Sequence, residues 1–325
     1  MITSSKPNKY PDILDQTFHH DTASHSFTVK WGSIGVKTSP PVIFIHGTPW
    51  SSAVWIPFAI SLSRRFRVYL LDRPGFGESP PEAHQSSYDA TKDSAVEKLD
   101  ADLARQSEVF AALYKLWQSE WDTEQPAAHV VAHDNAGLLS LRAHLLHGCK
   151  YASLCLMNVV AIGPFGQSLF KAVGDSPELF EELPDMALEG ILEAYIRDAA
   201  HQELSKNTMD MLKEPWLRPG GKTGFIRELC QANVRSTDAV ESRYGQVGPS
   251  VPVKIIWGAQ DNWIPVASAW RLGKALGTRE IVEIPEAGHL VMIDQPGQVG
   301  VELGMWLSSA TQKSGRPSGS SRIME

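Results

Sequence analysis

Cysteine is scarce. Cys149, Cys155 and Cys230 are the three in the chain, an odd number with none of the paired spacings of a metal knuckle. This argues against a disulfide scaffold and a zinc site, and suits a reducing compartment. Clustered positive charge is missing as well: Arg64-Arg65 is the densest basic pair of the folded region in a chain whose formal net charge is −7. Nucleic acid and anionic membrane surfaces are therefore poor partners, and a small neutral ligand is a better one. No uninterrupted apolar run is long enough to cross a bilayer, and Met1 to Asp15 lacks the apolar stretch of an export signal. There is no internal repeat. The expectation is a cytoplasmic globular protein with no cofactor and no metal. With 325 residues, 42% of them hydrophobic and 21% charged, it should form one large domain with an insertion.

Against these absences stands one dense motif. Residues 128–137 read Ala-His-Val-Val-Ala-His-Asp-Asn-Ala-Gly, an apolar β-like run that breaks at Asp134 and passes into a helical pattern. Small residues at Ala132, Ala136 and Gly137 permit a sharp strand-turn-helix corner that lifts one side chain above the sheet edge. Here that side chain is a carboxylate. A carboxylate attacks acyl carbon poorly but can displace a leaving group from saturated carbon, giving an alkyl ester, which fits epoxides and carbon–halogen bonds. A helix-capping role for Asp134 is the competing reading.

Two later segments supply partners in a consistent order. Val253 to Gly258 is a buried-strand pattern running through Ala259-Gln260 into Asp261, and Ile281 to Ile284 is a short strand closing on Gly288-His289. In this pattern Asp261 orients the imidazole, and His289 takes a proton from the water that hydrolyses the ester.

Together with His46-Gly47-Thr48-Pro49 and Asp72-Arg73-Pro74-Gly75-Phe76-Gly77-Glu78-Ser79, these motifs resemble the α/β-hydrolase superfamily over about residues 25–310. The elbow carboxylate is similar to the aspartate-nucleophile branch of epoxide hydrolases and haloalkane dehalogenases. The resemblance implies a mostly parallel, doubly wound α/β sheet with a helical cap inserted after strand six. It also implies an oxyanion hole made by the backbone N–H groups of Thr48 and Asn135, a structural role for His46, and a cis Thr48–Pro49 bond. The expected organisation is an irregular N-terminal extension (1–24), a core (25–162 and 249–310), the cap (163–248) and a disordered tail (311–325). Within the core, a helix over 95–117 should bury Leu99, Leu103, Val109, Phe110, Leu113 and Leu116, a strand should span 152–160, and the last helix should end near 308.

The cap chooses the substrate. Epoxide hydrolases of this kind use two cap tyrosines as donors to the ring oxygen, and this cap offers Tyr195 and Tyr244. Dehalogenases place a Trp after the nucleophile and a Trp or Asn after His-Gly, positions held here by Asn135 and Thr48, which leaves Trp50 and Trp216 as indole donors. Fluoroacetate-type enzymes carry arginines where this chain has Asn135 and Leu138, which disfavours a small haloacid. Apolar cap residues Leu169, Phe170, Phe180, Leu183, Met186 and Leu188 together point to a hydrophobic substrate, while for any one of them the competing reading is a place in the cap's own core. Epoxide hydrolysis is the leading expectation and dehalogenation the next. Ester or lactone hydrolysis and a non-catalytic small-ligand receptor are the remaining ones.

Overall fold

The structure is a computed structural model and describes residues 13–87, 89, 102–121, 127–163, 169–230 and 235–314. Its centre is a twisted sheet of strands β1 (Gln16–Asp21), β2 (His25–Ile34), β3 (Pro41–Ile45), β4 (Arg67–Leu71), β5 (Ala83–His84), β6 (Ala128–His133), β7 (Tyr151–Met157), β8 (Val253–Gly258) and β9 (Ile281–Ile284). The order is β1-β2-β4-β3-β6-β7-β8-β9, with β5 on β2. From β4 onward every neighbour along that order is parallel, whereas β1, β2 and β5 pair antiparallel. The central strands Pro-Val-Ile-Phe-Ile, Ala-His-Val-Val-Ala-His and Val-Lys-Ile-Ile-Trp-Gly are buried at every position. A strand covered on both faces has to be largely apolar without alternation, and the polar exceptions here are paired: His129 with Ser153 and Thr311, His133 with His289 O, and Lys254 with Glu302.

Helices cover both faces. On one lie α2 (Leu103–Gln118), α3 (Ala136–His147) and α11 (Ala267–Leu276), and on the other α1 (Ile56–Leu62) and α13 (Pro296–Ser314). Between β7 and β8, in the span expected to hold a cap, run α4 (Leu169–Asp175), α5 (Pro177–Glu181), α6 (Asp185–Ala199), α7 (Lys206–Leu217), α8 (Gly221–Leu229), α9 (Arg235–Glu241) and α10 (Val247–Ser250). A short helix, α12 (Val291–Asp294), follows β9. No helix among the described residues is long and apolar enough to cross a membrane.

Some expectations need correction. Residues 16–21 are not irregular: they form β1, an edge strand whose largely exposed side chains hide it in the sequence, while β2 supplies its ladder. The strand expected over 152–160 ends at Met157, because Asn158 turns the chain at φ 44°. Leu116 is 39% exposed, since the buried stripe of α2 rolls toward Tyr114 and Trp117, which pack with Tyr151, Trp31 and Tyr69. The final helix runs to Ser314 rather than 308. Leu99 and the tail beyond 314 lie outside the described residues.

Candidate active site

Asp134 closes β6 at φ 55°. That left-handed backbone costs a non-glycine residue roughly 1–2 kcal/mol, and neighbouring bonds hold it: Asp134 N–H donates to Met157 O at 3.2 Å, and Asp134 O accepts from the N–H groups of Gly137 and Val160 at 3.0 Å each. Close approach also demands glycine on both sides. A Cβ at Gly47 would stand 2.3 Å from Asp134 Cβ, and one at Gly137 would stand 2.4 Å from Val159 Cβ.

The two carboxylate oxygens of Asp134 have different surroundings. Oδ1 accepts from Thr48 N–H at 2.8 Å, while Oδ2 lies 3.3 Å from His289 Nε2, long for a charge-assisted hydrogen bond. The Thr48–Pro49 peptide is cis, as the resemblance implied. Asn135 turns its side-chain N–H onto Thr48 Oγ1 at 2.8 Å, and the buried Arg73 donates to the same oxygen at 3.1 Å.

His289 is fully buried. Its Nδ1–H donates to Asp261 Oδ2 at 2.9 Å. Asp261 also accepts from Asn158 Nδ2 at 2.7 Å and, on Oδ1, from the N–H groups of Trp263 at 2.8 Å and Ile264 at 2.9 Å. Asn158 in turn accepts from Gly258 N–H at 3.2 Å, so the acid is held from two strands. The imidazole lies beside the Trp263 and His133 rings, each with centroids 4.8 Å away.

These contacts set the charges. Burial by itself would lift both carboxyls, but the His289 imidazolium overrides it and holds Asp134 and Asp261 below the usual carboxylate range. Burial opposes a charged His289, yet Asp261 and Asp134 raise it to about 10. These shifts all favour one imidazolium between two carboxylates in the resting trio. His133 goes the other way, down to about 3, through burial and the nearby His289 charge. His46 is also held neutral, by burial and Arg73. One ring nitrogen donates to Gly47 O at 2.9 Å and the other accepts from Arg73 N–H at 3.0 Å, a structural arrangement.

The insertion roofs this floor. Tyr195, on α6, stacks on Trp263 with centroids 4.2 Å apart and packs edge-on against Phe170 and Phe225. Its hydroxyl is buried with no hydrogen-bond partner among the described residues. Burial and the Asp134 charge push its pKa well up, so it stays a proton donor. Trp50 Nε1 is likewise buried without a partner among the described residues. The other expected donors are engaged elsewhere: Trp216 Nε1 donates to Pro49 O at 2.8 Å and Tyr244 to Ala161 O at 2.6 Å. Met186 is 81% exposed, whereas Leu188 is buried, so the apolar stretch before and within α6 does not share one role.

Two features escaped the sequence. Trp263 touches acid, base and roof, though its place two residues after Asp261 was a usable signal. The second is a buried charge group: Arg227 of α8 lies 3.1 Å from Glu228 and 3.3 Å from Glu82, with Arg73 close enough to act electrostatically on Glu228. Partners 145 positions apart leave no local trace.

Parallel strands that carry an elbow residue, an acid and a histidine to one sheet edge in that chain order have the arrangement of an α/β hydrolase. The chain belongs to the alpha/beta hydrolase family, whose model matches residues 42–302. An α/β-hydrolase-fold protein from Burkholderia ambifaria is 33% identical, with a TM-score of 0.73 over 89% of this chain and 99% of that one. The dihydrolipoyllysine-residue acetyltransferase component of the acetoin cleaving system of Pseudomonas putida is 25% identical over 85% of this chain, which spans 65% of that longer protein. Haloalkane dehalogenase DbeA from Bradyrhizobium elkani USDA94 has a TM-score of 0.70 over 92% of this chain and 99% of that one. At 16% identity the likeness is one of fold. Family and fold imply a hydrolase acting on a small molecule with water.

Proposed function

We propose that the protein hydrolyses a small hydrophobic epoxide through an alkyl ester on Asp134. One observation carries the reading: the elbow residue is a carboxylate with one oxygen on the Thr48 N–H and the other facing His289, roofed by the Tyr195 hydroxyl, which has no partner among the described residues. Asp134 Oδ2 attacks an epoxide carbon. The carbon–ring-oxygen bond breaks, and Tyr195 hands its proton to the oxygen that leaves with the electron pair. Restoring that proton from the His289 imidazolium leaves a neutral base, and the change has an electrostatic cause. Esterification removes the Asp134 charge, one of the two that keep His289 protonated.

Neutral His289 then takes a proton from water, whose oxygen adds to Asp134 Cγ. The negative charge develops on Oδ1, against the Thr48 N–H and the neighbouring Asn135 N–H. Collapse releases the diol with the former Oδ2, and the resting ion cluster re-forms. The cap excludes bulk water while this proceeds.

The Trp50 indole, without a partner among the described residues, supports a second reading, displacement of a halide, because an indole N–H is a donor suited to a departing anion. Single-turnover intact-protein mass spectrometry of His289→Gln separates the two. The variant is incubated with aryl and alkyl epoxide pools and, separately, with bromoalkane pools. The expected result is a mass gain of one whole epoxide on the peptide bearing Asp134. A gain of a bromoalkane minus HBr instead selects the second reading, and no adduct from any pool ends both.

A further inference from the structure

Trp263 has contacts that a wall residue would not need. Its backbone N–H holds Asp261 Oδ1 at 2.8 Å, and its ring lies 4.8 Å from the His289 ring at 32° and 4.2 Å from the Tyr195 ring at 25°. At the edge of the same indole, Nε1 donates to Asp198 Oδ2 at 2.8 Å. Asp198 follows Tyr195 by three positions on α6, so both side chains project from one face of that helix. The end of α6 is tied to the histidine loop as well. Ala199 O accepts from Leu290 N–H at 3.0 Å. The Asp294 carboxylate gathers the N–H groups of His201, Gln202 and Gly288 at 2.8–3.0 Å.

We infer that Trp263 is a positioning residue: anchored by Asp198, its indole plane sets the orientation of the His289 imidazole and the placement of the Tyr195 hydroxyl together. This rests on His289 as the base and Tyr195 as the leaving-group donor. The physical need is specific. A hydrogen bond from Nδ1 to Asp261 fixes one point of the imidazole and leaves rotation about that bond free. A ring packed against it, tilted by 32°, restricts the rotation, which decides whether Nε2 faces Asp134 and water. Phenylalanine offers a plane without the N–H, so it cannot be keyed to α6, whereas an indole offers both. The Asp198 bond is exposed and contributes little to folding, so removing it disturbs alignment more than stability.

The test uses Asp198→Ala, Asp198→Asn and Trp263→Phe in the full chain. The first readout needs no substrate: the downfield proton resonance of His289 Nδ1–H, assigned by its disappearance in His289→Gln, followed against pH. The Ala and Phe variants should shift and broaden it and alter its titration. The Asn variant, which keeps an acceptor oxygen for Nε1, should restore the wild-type signal. The second readout is the rate of Asp134 alkylation by styrene oxide in the His289→Gln background, expected to fall about tenfold with Asp198→Ala and to recover with Asp198→Asn, as small misplacements of reacting groups do. A resonance unchanged in both the Ala and Phe variants overturns the inference, as does an Asn variant that behaves like Ala. If styrene oxide alkylates nothing, the epoxide reading fails by itself and the resonance still decides the role of Trp263.

Discussion

Asp261 in the floor and Tyr195 in the roof are both withdrawn from water, but their hydrogen bonding is opposite. Asp261 accepts from Asn158, Trp263, Ile264 and His289, all within 2.7–2.9 Å. The Tyr195 hydroxyl, one shared indole away, has no partner among the described residues. Folded proteins seldom leave a buried hydroxyl unpaired, because doing so costs about 1–3 kcal/mol. The Asp261 end of the floor is finished at folding, and its polar groups contribute to stability as well as to alignment, while at the Asp134 end His289 Nε2 has no hydrogen-bond partner among the described residues. The roof keeps a donor in reserve, which makes sense where a ligand atom completes it.

Substitutions sharpen this contrast. Asp134→Ala should have the largest effect, abolishing turnover and any covalent adduct, and a variant that still forms the ester would move the nucleophile elsewhere. Asp261→Asn should lower turnover by roughly 10²–10⁴ through loss of the correct tautomer and charge. It should also lower Tm, because an amide NH₂ must face Asn158 or the backbone N–H groups, and a buried mismatch of donors costs about 1–3 kcal/mol. Tyr195→Phe should slow Asp134 alkylation by roughly a hundredfold and leave Tm unchanged or slightly higher, since the hydroxyl has no partner to lose among the described residues. Thermal scans beside single-turnover rates check both variants. If Tyr195→Phe destabilised the protein as Asp261→Asn does, the contrast between floor and roof would be gone.

The same contrast explains what the sequence disclosed. Strands β3, β6 and β8 are legible because burial on both faces forces largely apolar runs, and Asp134 and Asp261 stand just past two of them, whereas His289 follows the shorter, half-exposed β9 and was marked by its Gly288-His289 turn. β1 was not legible, because its exposed edge position lets polar residues occupy it and its hydrogen bonds come from β2. Tyr195 could be named as a donor, but not distinguished from Trp216. Which N–H is engaged depends on Pro49 O, 167 positions away from Trp216. The Arg227 group was equally hidden, since its partners belong to a different part of the chain.

That buried charge group gives the smallest expected effect and tests how the roof is fastened. Glu228 is fully buried, and burial pushes its carboxyl up to about 8 despite the opposing charges of Arg227 and Arg73, with Glu82 adding to the rise. A folded pKa above the unfolded value of about 4.3 means that the native state binds more protons between those two values. Stability from this group is fully present below the lower value and is lost as pH rises through the upper one. Wild-type Tm should accordingly carry a downward slope from about pH 5 to about pH 8. Glu228→Gln, whose amide does not titrate in that window, should flatten it by a few degrees, with the two proteins most alike near pH 5. Differential scanning calorimetry in matched buffers gives both slopes. Parallel slopes would mean that the Arg227 and Arg73 charges already keep Glu228 ionised in the fold, so that this junction of roof and core is as fully paired as Asp261 in the floor.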